Sequence, residues 1–322
     1  MADKRFRERA IRFANGSTGR ALEIRSANPR NYHQLVSAPA EMPPVTIDGQ
    51  LFLPPGRSGP VALVIVVPGS LSVAPSHLAH AEAFSELGFA SFVLDPFGGR
   101  GVTSTVANQT QFSFAASACD VMVAVRTLAG LPEIDARRIG LQGHSRGGSA
   151  VLSAVMRRLN AGIWRDDLRV RSVLAAYPWC GHQPLDPDAG GSEVRVLIGD
   201  QDDWVSPQQA QGFVQALRLR GAAASIRIFA GAEHSFDRLE PVHAIPEASV
   251  SPAAPTAYLA DDGAFIHPAT GVADATLTDR DLAIYALKAG YGQKGATIGT
   301  TGDQATLFRD DVTAFFARTL AG

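Results

Sequence analysis

The feature that most narrows the fold is a seven-residue run, Val61-Ala-Leu-Val-Ile-Val-Val67, set between the loop residues Pro54-Pro55-Gly56-Arg57-Ser58-Gly59 and Pro68-Gly69. A strand with one wet face alternates apolar and polar residues. This run does not alternate, and it is far too short to span a membrane. It predicts a strand buried on both faces, the situation of an interior strand in a parallel sheet. Downstream, helical and extended patterns take turns. Helices are expected over 75–87, 112–128, 147–159, 208–219 and 303–320, with strands over 89–94, 139–142, 172–176, 194–198 and 225–229, the last of the strands. The 112–128 helix puts Phe114, Ala118, Val121, Met122, Val125 and Leu128 on one side, and the closing helix does the same with Phe308, Val312, Phe315, Phe316 and Leu320. Alternation of this kind predicts an α/β domain: a mostly parallel, twisted sheet with helices on both faces. Upstream, residues 45–53 alternate around Asp48-Gly49 and predict two short antiparallel strands joined by a tight turn.

With 46% hydrophobic and 19% charged residues among 322, the chain can bury a large core, which excludes a disordered protein. The net charge of −2 supplies no basic field for nucleic acid. Two cysteines, Cys119 and Cys180, form no CxxC pair, so neither a thiol redox motif nor a cysteine zinc site is expected. No histidine pair has HExxH spacing, and no metal site is expected. Charge is uneven along the chain: residues 1–30 carry a net +5 and the remaining 292 a net −7. Residues 1–44 are therefore expected as a basic arm that packs on its own domain or on a partner subunit, which leaves room for a homo-oligomer. No apolar stretch of signal-peptide or membrane-span length occurs, and the expected setting is cytoplasmic, without membrane attachment.

Chemistry enters at Gly143-His144-Ser145-Arg146-Gly147, a G-x-S-x-G pentapeptide between an expected strand and an expected helix. That context is the nucleophile elbow: a sharp turn lifts Ser145 above the sheet, and glycines are needed where side chains would strike the neighbouring strand and helix. The free N–H of Arg146 at the helix start is the first candidate oxyanion donor. The second comes from the loop after the 61–67 strand, as the backbone of Ser70 or Leu71. A serine needs a base and the base an orienting carboxylate, in the order Ser, acid, His. After the 194–198 strand come Asp200, Asp202 and Asp203; spacing favours Asp202, with Asp203 next. After the 225–229 strand, His234 is the candidate base, and His182 the reserve. His77 and His80 fall on a helix, while His33, His243 and His267 lie outside the core pattern. Pocket walls are expected from Phe97, Arg100, Trp179, His182, Trp204 and Phe236. Arg100 has two readings, a binder of substrate carboxylate or half of a buried ion pair holding its own loop.

On these segments (61–71, 89–101, 138–148, 194–207 and 229–237) the chain resembles the α/β-hydrolase superfamily, and within it the dienelactone hydrolase-like branch. The resemblance covers 45–237 and the last helix. It implies the α/β-hydrolase fold and hydrolysis of small carboxylic esters or lactones without a cofactor, with Ser145, Asp202 and His234 as nucleophile, acid and base. The name-giving enzymes use a cysteine where this chain has Ser145, which points to general esterase chemistry. A 65-residue excursion, 238–302, separates His234 from the closing helix, within a domain spanning 45–322. It contains a short expected helix over 279–289 and either leans over the pocket or forms a surface extension. Rival readings are a peptidase of the prolyl-oligopeptidase type, an acyltransferase or lyase on the same core, and a silent binding module.

Overall fold

The computed structural model describes residues 5–164 and 167–321; residues 1–4, with Asp3 of the basic arm, and Gly322 lie outside the described residues. In chain order the strands are β1 Arg20–Ala27, β2 Pro44–Phe52, β3 Val61–Val67, β4 Ala90–Asp95, β5 Ile134–His144, β6 Ser172–Ala176, β7 His182–Pro184, β8 Glu193–Gly199, β9 Ala224–Phe229, β10 His243–Val250, β11 Ala257–Leu259, β12 Phe265–Ile266, β13 Ala273–Asp274 and β14 Gln293–Ile298. The helices are α1 Tyr32–Ser37, α2 Pro75–Glu86, α3 Phe114–Leu128, α4 Arg146–Ala154, α5 Arg157–Asn160, α6 Pro207–Leu219, α7 Asp279–Lys288 and α8 Gln304–Thr319. Eight strands form the main sheet in the order β1-β2-β4-β3-β5-β6-β8-β9. β1/β2 and β2/β4 are antiparallel and every other pair is parallel. Residues 62–67 of β3 are all buried, as an interior strand flanked by β4 and β5 requires.

The helices cover the sheet in pairs, α3 with α4 and α2 with α8. Gly140 of β5 has no side chain because one would enter the Phe316 ring of α8, 2.7 Å from the position of a Cβ. No helix among the described residues is long and apolar enough to cross a membrane.

Four expectations change. The expected hairpin over 45–53 is instead a single strand, β2: Gly49 continues it because a Cβ there would lie 2.4 Å from Phe92 Cζ and from the Val93 carbonyl. The glycine therefore serves close strand packing, not a turn. Residues 20–27 of the arm form an edge strand, with Ile24 and Ser26 buried on one side. The expected 147–159 helix is broken into α4 and α5 by the extended Met156. Strands continue beyond β9.

Those later strands belong to the excursion. β10 and β14 pair as a two-stranded ribbon, while β11, β12 and β13 join β7 in a four-stranded sheet. The excursion is fastened next to the site: the Gly299 N–H donates to the His234 carbonyl at 3.0 Å, and the Ser249 N–H to the Val106 carbonyl at 3.0 Å.

Candidate active site

Five loops at the C-terminal edge of the parallel strands meet at one point, the edge at which α/β sheets place ligands. Ser145 sits between β5 and α4 with a positive φ, at φ 54° and ψ −116°. The flanking glycines leave that turn room. A Cβ on Gly143 would lie 2.1 Å from the Gly147 carbonyl oxygen, and one on Gly147 would lie 2.3 Å from that of Val67. The Ser145 N–H is held by the Ala176 carbonyl at 2.9 Å.

His234 and Asp202 reach this hydroxyl in series. His234 Nε2 lies 2.9 Å from Ser145 Oγ, and His234 Nδ1 lies 2.7 Å from Asp202 Oδ2. The other oxygen of Asp202 accepts the N–H groups of Trp204 and Val205, both at 3.0 Å, which fixes the carboxylate plane. Asp203 points elsewhere, accepting from the backbone and hydroxyl of Thr297. Asp200 caps the next loop through the Gly231 N–H. Of the three carboxylates the geometry joins only Asp202 to the histidine.

The Arg146 N–H is at the first turn of α4, where no intrahelical acceptor exists. The loop after β3 turns through a bond from the Ser72 N–H to the Gly69 carbonyl, which involves neither the Ser70 nor the Leu71 N–H. A Cβ on Gly69 would come within 3.0 Å of Ser145 Cβ, so glycine allows this loop to lie against the elbow. Ser70 is tied down through Oγ to Gln109 and through its carbonyl to the Thr105 N–H.

The Arg146 side chain is buried and spent on structure. It donates to Ser117 Oγ and to the carbonyls of Gln109 and Phe112, and its guanidinium lies over the Phe112 and Phe114 rings at 4.4 and 4.1 Å.

A cavity of about 560 Å³ opens at Ser145. Trp179, His182 and Trp204 line it, together with Ser70 and Arg146. The excursion supplies much of the remaining wall, including Val250, Pro255 and the α7 residues Leu282, Ala283 and Ala286. Phe97, Arg100 and Phe236 do not line it. The Asp95 carboxylate accepts the N–H groups of Phe97 and Gly98, and this turn sends the Phe97 ring into a separate cluster with Phe112 and Ala116. Arg100 is the buried ion pair: it binds Asp120 at 2.7 Å and Asn28 Oδ1 at 2.7 Å. Phe236 follows Ser235, whose φ of 55° turns the chain inward, and its ring packs on Tyr177, Phe229 and Phe308.

Sequence reasoning missed the support behind the candidate base His234. The His234 ring lies between Trp204, stacked at 5.2 Å and 15°, and Tyr177, edge-on at 4.7 Å. Tyr177 Oη donates to Asp237 Oδ1 at 2.5 Å and accepts from His144 Nδ1 at 2.8 Å, while Gln142 Nε2 donates to His144 Nε2 at 2.9 Å. His80 Nε2 adds a bond to Asp237 Oδ2 at 3.1 Å. Burial opposes ionisation of Asp237, but the hydrogen bonds from His80 and the Tyr177 hydroxyl outweigh it and hold the carboxyl well below the usual range. Burial lowers His144 to about 3, so this ring is neutral. The signal available in the sequence was the FAGAEHSFD segment itself, where Asp237 follows His234 by three residues.

His182, the reserve base, sits among aromatic rings, 4.5 Å from Trp179 and 4.6 Å from Phe265. Burial, with Arg146 adding to it, lowers its pKa to about 3. Its Nδ1 is 3.5 Å from Asp279, the first residue of α7, whose other oxygen accepts the Phe114 N–H at 2.8 Å. Burial raises Asp279 to about 6 against the opposing pull of that N–H and of Arg146.

A carboxyl raised in the fold is penalised when ionised. The penalty is absent below the ordinary aspartate value of 3.8, grows as pH rises, and is complete above about 6. Asp279→Asn retains an acceptor for the Phe114 N–H and carries no charge. It should match the parent at pH 3.5 and be more stable at pH 8, by on the order of 1–3 kcal/mol. Urea midpoints at the two pH values measure this, and equal midpoints at pH 8 contradict it.

The chain is also similar to known proteins. No curated protein sequence matches it. A dienelactone hydrolase-like promiscuous phosphotriesterase from metagenomic libraries aligns over 93% of this chain and 98% of its own, with a TM-score of 0.52 and 13% identity. The dienelactone hydrolase from Anabaena variabilis ATCC 29413 aligns over 67% and 88%, with a TM-score of 0.46 and 18% identity. The first of these supports the shared fold. The sequence profile of the dienelactone hydrolase family matches residues 47–257, well over half of the chain and containing the elbow, Asp202 and His234. With that match, the sheet order and the elbow in place, the chain is a hydrolase of ester-type substrates with the α/β-hydrolase fold, and it belongs to the dienelactone hydrolase family.

Proposed function

We propose that this protein is a serine hydrolase that cleaves carboxylic esters or lactones of small substrates through an acyl-enzyme. The observation that carries the reading is the hydrogen-bonded series Ser145–His234–Asp202, at 2.9 and 2.7 Å, opening on a cavity. Ser145 Oγ attacks the substrate carbonyl carbon as His234 Nε2 takes its proton, and the carbonyl π pair moves onto oxygen. The N–H groups of Arg146 and of Ser70 or Leu71 stabilise that oxyanion. Collapse expels the alcohol, which takes the proton from His234 and leaves the acyl group on Ser145. Water then repeats the cycle: His234 removes its proton, its oxygen attacks the acyl carbon, and the Ser145 oxygen departs with the proton. Asp202 keeps the imidazole in the Nδ1–H tautomer and steadies it when charged.

An acyl ester and the anilide of the same acid, assayed side by side, test the reading. Ester turnover far above anilide turnover is expected. Comparable anilide cleavage would favour the peptidase reading, and transfer to an added alcohol in preference to water would favour an acyltransferase. A fluorophosphonate probe should label Ser145; failure to label it, with no turnover of either substrate, would leave a binding module.

A further inference from the structure

Two cavities of very different size meet at Ser145. The larger, about 560 Å³, is lined by Ser145, Trp179, His182 and the α7 residue Ala283, and His234 does not line it. The smaller, about 20 Å³, is lined by residues 69–71, Ser145, His234, Arg238 and Ile298. Ser70, Ser145 and Trp204 line both, so the indole of Trp204, stacked on His234, forms part of the partition between them.

The chemistry assigns the two halves of an ester to these spaces. The leaving oxygen must receive its proton from His234 Nε2, so it needs to lie within hydrogen-bond reach of that atom. The alcohol therefore departs on the His234 side, where a void of about 20 Å³ has room for one water or a group of similar size. The acyl chain extends the other way, into the large cavity roofed by the excursion.

We infer that the enzyme is selective for esters of a bulky acyl group with a very small alcohol, of the methyl-ester type. This rests on the serine-esterase reading above and concerns its ester substrates. The asymmetry also gives the excursion a role, since α7 and residues 249–257 wall the acyl side whereas Ile298, at the end of β14, lines the alcohol side.

Two isomeric alkyl esters of equal size and similar intrinsic reactivity test it: methyl cyclohexylacetate, with a large acyl group and methanol as leaving group, and cyclohexylmethyl acetate, with the two reversed. A single methylene in a shaped pocket changes kcat/KM by roughly 10- to 200-fold, so a preference of at least about tenfold for methyl cyclohexylacetate is expected. Ile298→Val and Ile298→Ala widen the alcohol side and should narrow that preference by raising turnover of cyclohexylmethyl acetate. Ala283→Trp fills the acyl side and should lower kcat/KM for methyl cyclohexylacetate about tenfold, more than it lowers that for methyl acetate. The conservative Val variant serves if the Ala variant does not fold. Fluorophosphonate labelling of Ser145 separates the two levels. Labelling with equal or reversed ester preference overturns the inference and leaves the serine-esterase reading standing. No labelling together with hydrolysis of neither isomer overturns both.

Discussion

Replacing Ser145 with alanine is expected to lower kcat for a small ester by about 10⁴- to 10⁶-fold without loss of the fold. The side chain makes its hydrogen bond to His234 and supports little else, while the backbone bond from residue 145 to the Ala176 carbonyl survives the change. The strained φ of 54° is common to serine and alanine, so the substitution adds no new strain. Nothing nearby can replace the hydroxyl. Both thiols are buried, and burial pushes Cys119 up to about 12 and Cys180 still higher. His144, next in sequence, is turned away into its bonds with Gln142 and Tyr177. Steady-state turnover and a thermal melt check this together, with activity lost and the melt unchanged.

The second large effect separates neighbouring aspartates. Asp202→Asn should cost about 10⁴-fold in kcat. The remaining amide oxygen would still accept the Trp204 and Val205 N–H groups, which aims the amide NH₂ at His234 Nδ1. A donor there forces the proton onto Nε2, where the base must accept from serine. Asp203→Asn should stay within a few-fold of the parent, because its oxygen still accepts the Thr297 N–H and its amide can donate to the Thr297 hydroxyl. Equal losses in the two variants would contradict the assignment of the acid.

The parallel core was readable in the sequence because burial on both faces and the helix period leave strong patterns, as at Val61–Val67 and along α3. The elbow was readable because its glycines answer local backbone clashes. β1 was obscured by the arginines at its exposed positions, although Leu22, Ile24 and Ser26 keep the alternation of a half-buried edge strand. Side-chain direction after a strand end was not readable. Phe97 and Trp204 both lie just past strand ends, yet the Asp95 turn sends Phe97 into the core while Trp204 stacks on His234. The Tyr177–Asp237–His144 support was hidden for a related reason, since its members come from the end of β5 and from the loops after β6 and β9, and meet only when the sheet aligns them. The structure of the excursion depends on pairing with β7 and on bonds to the His234 loop, contacts with no local signature.

The central claim is that Ser145 carries the acyl group during turnover. Rapid acid quench of the enzyme with a slowly hydrolysed ester in excess, followed by digestion and mass spectrometry, tests it directly. The account predicts the mass of the acyl group on the peptide containing Ser145, and its absence from the Ser145→Ala variant. Continued hydrolysis with no acyl group at Ser145, or with the group on another residue, would contradict it.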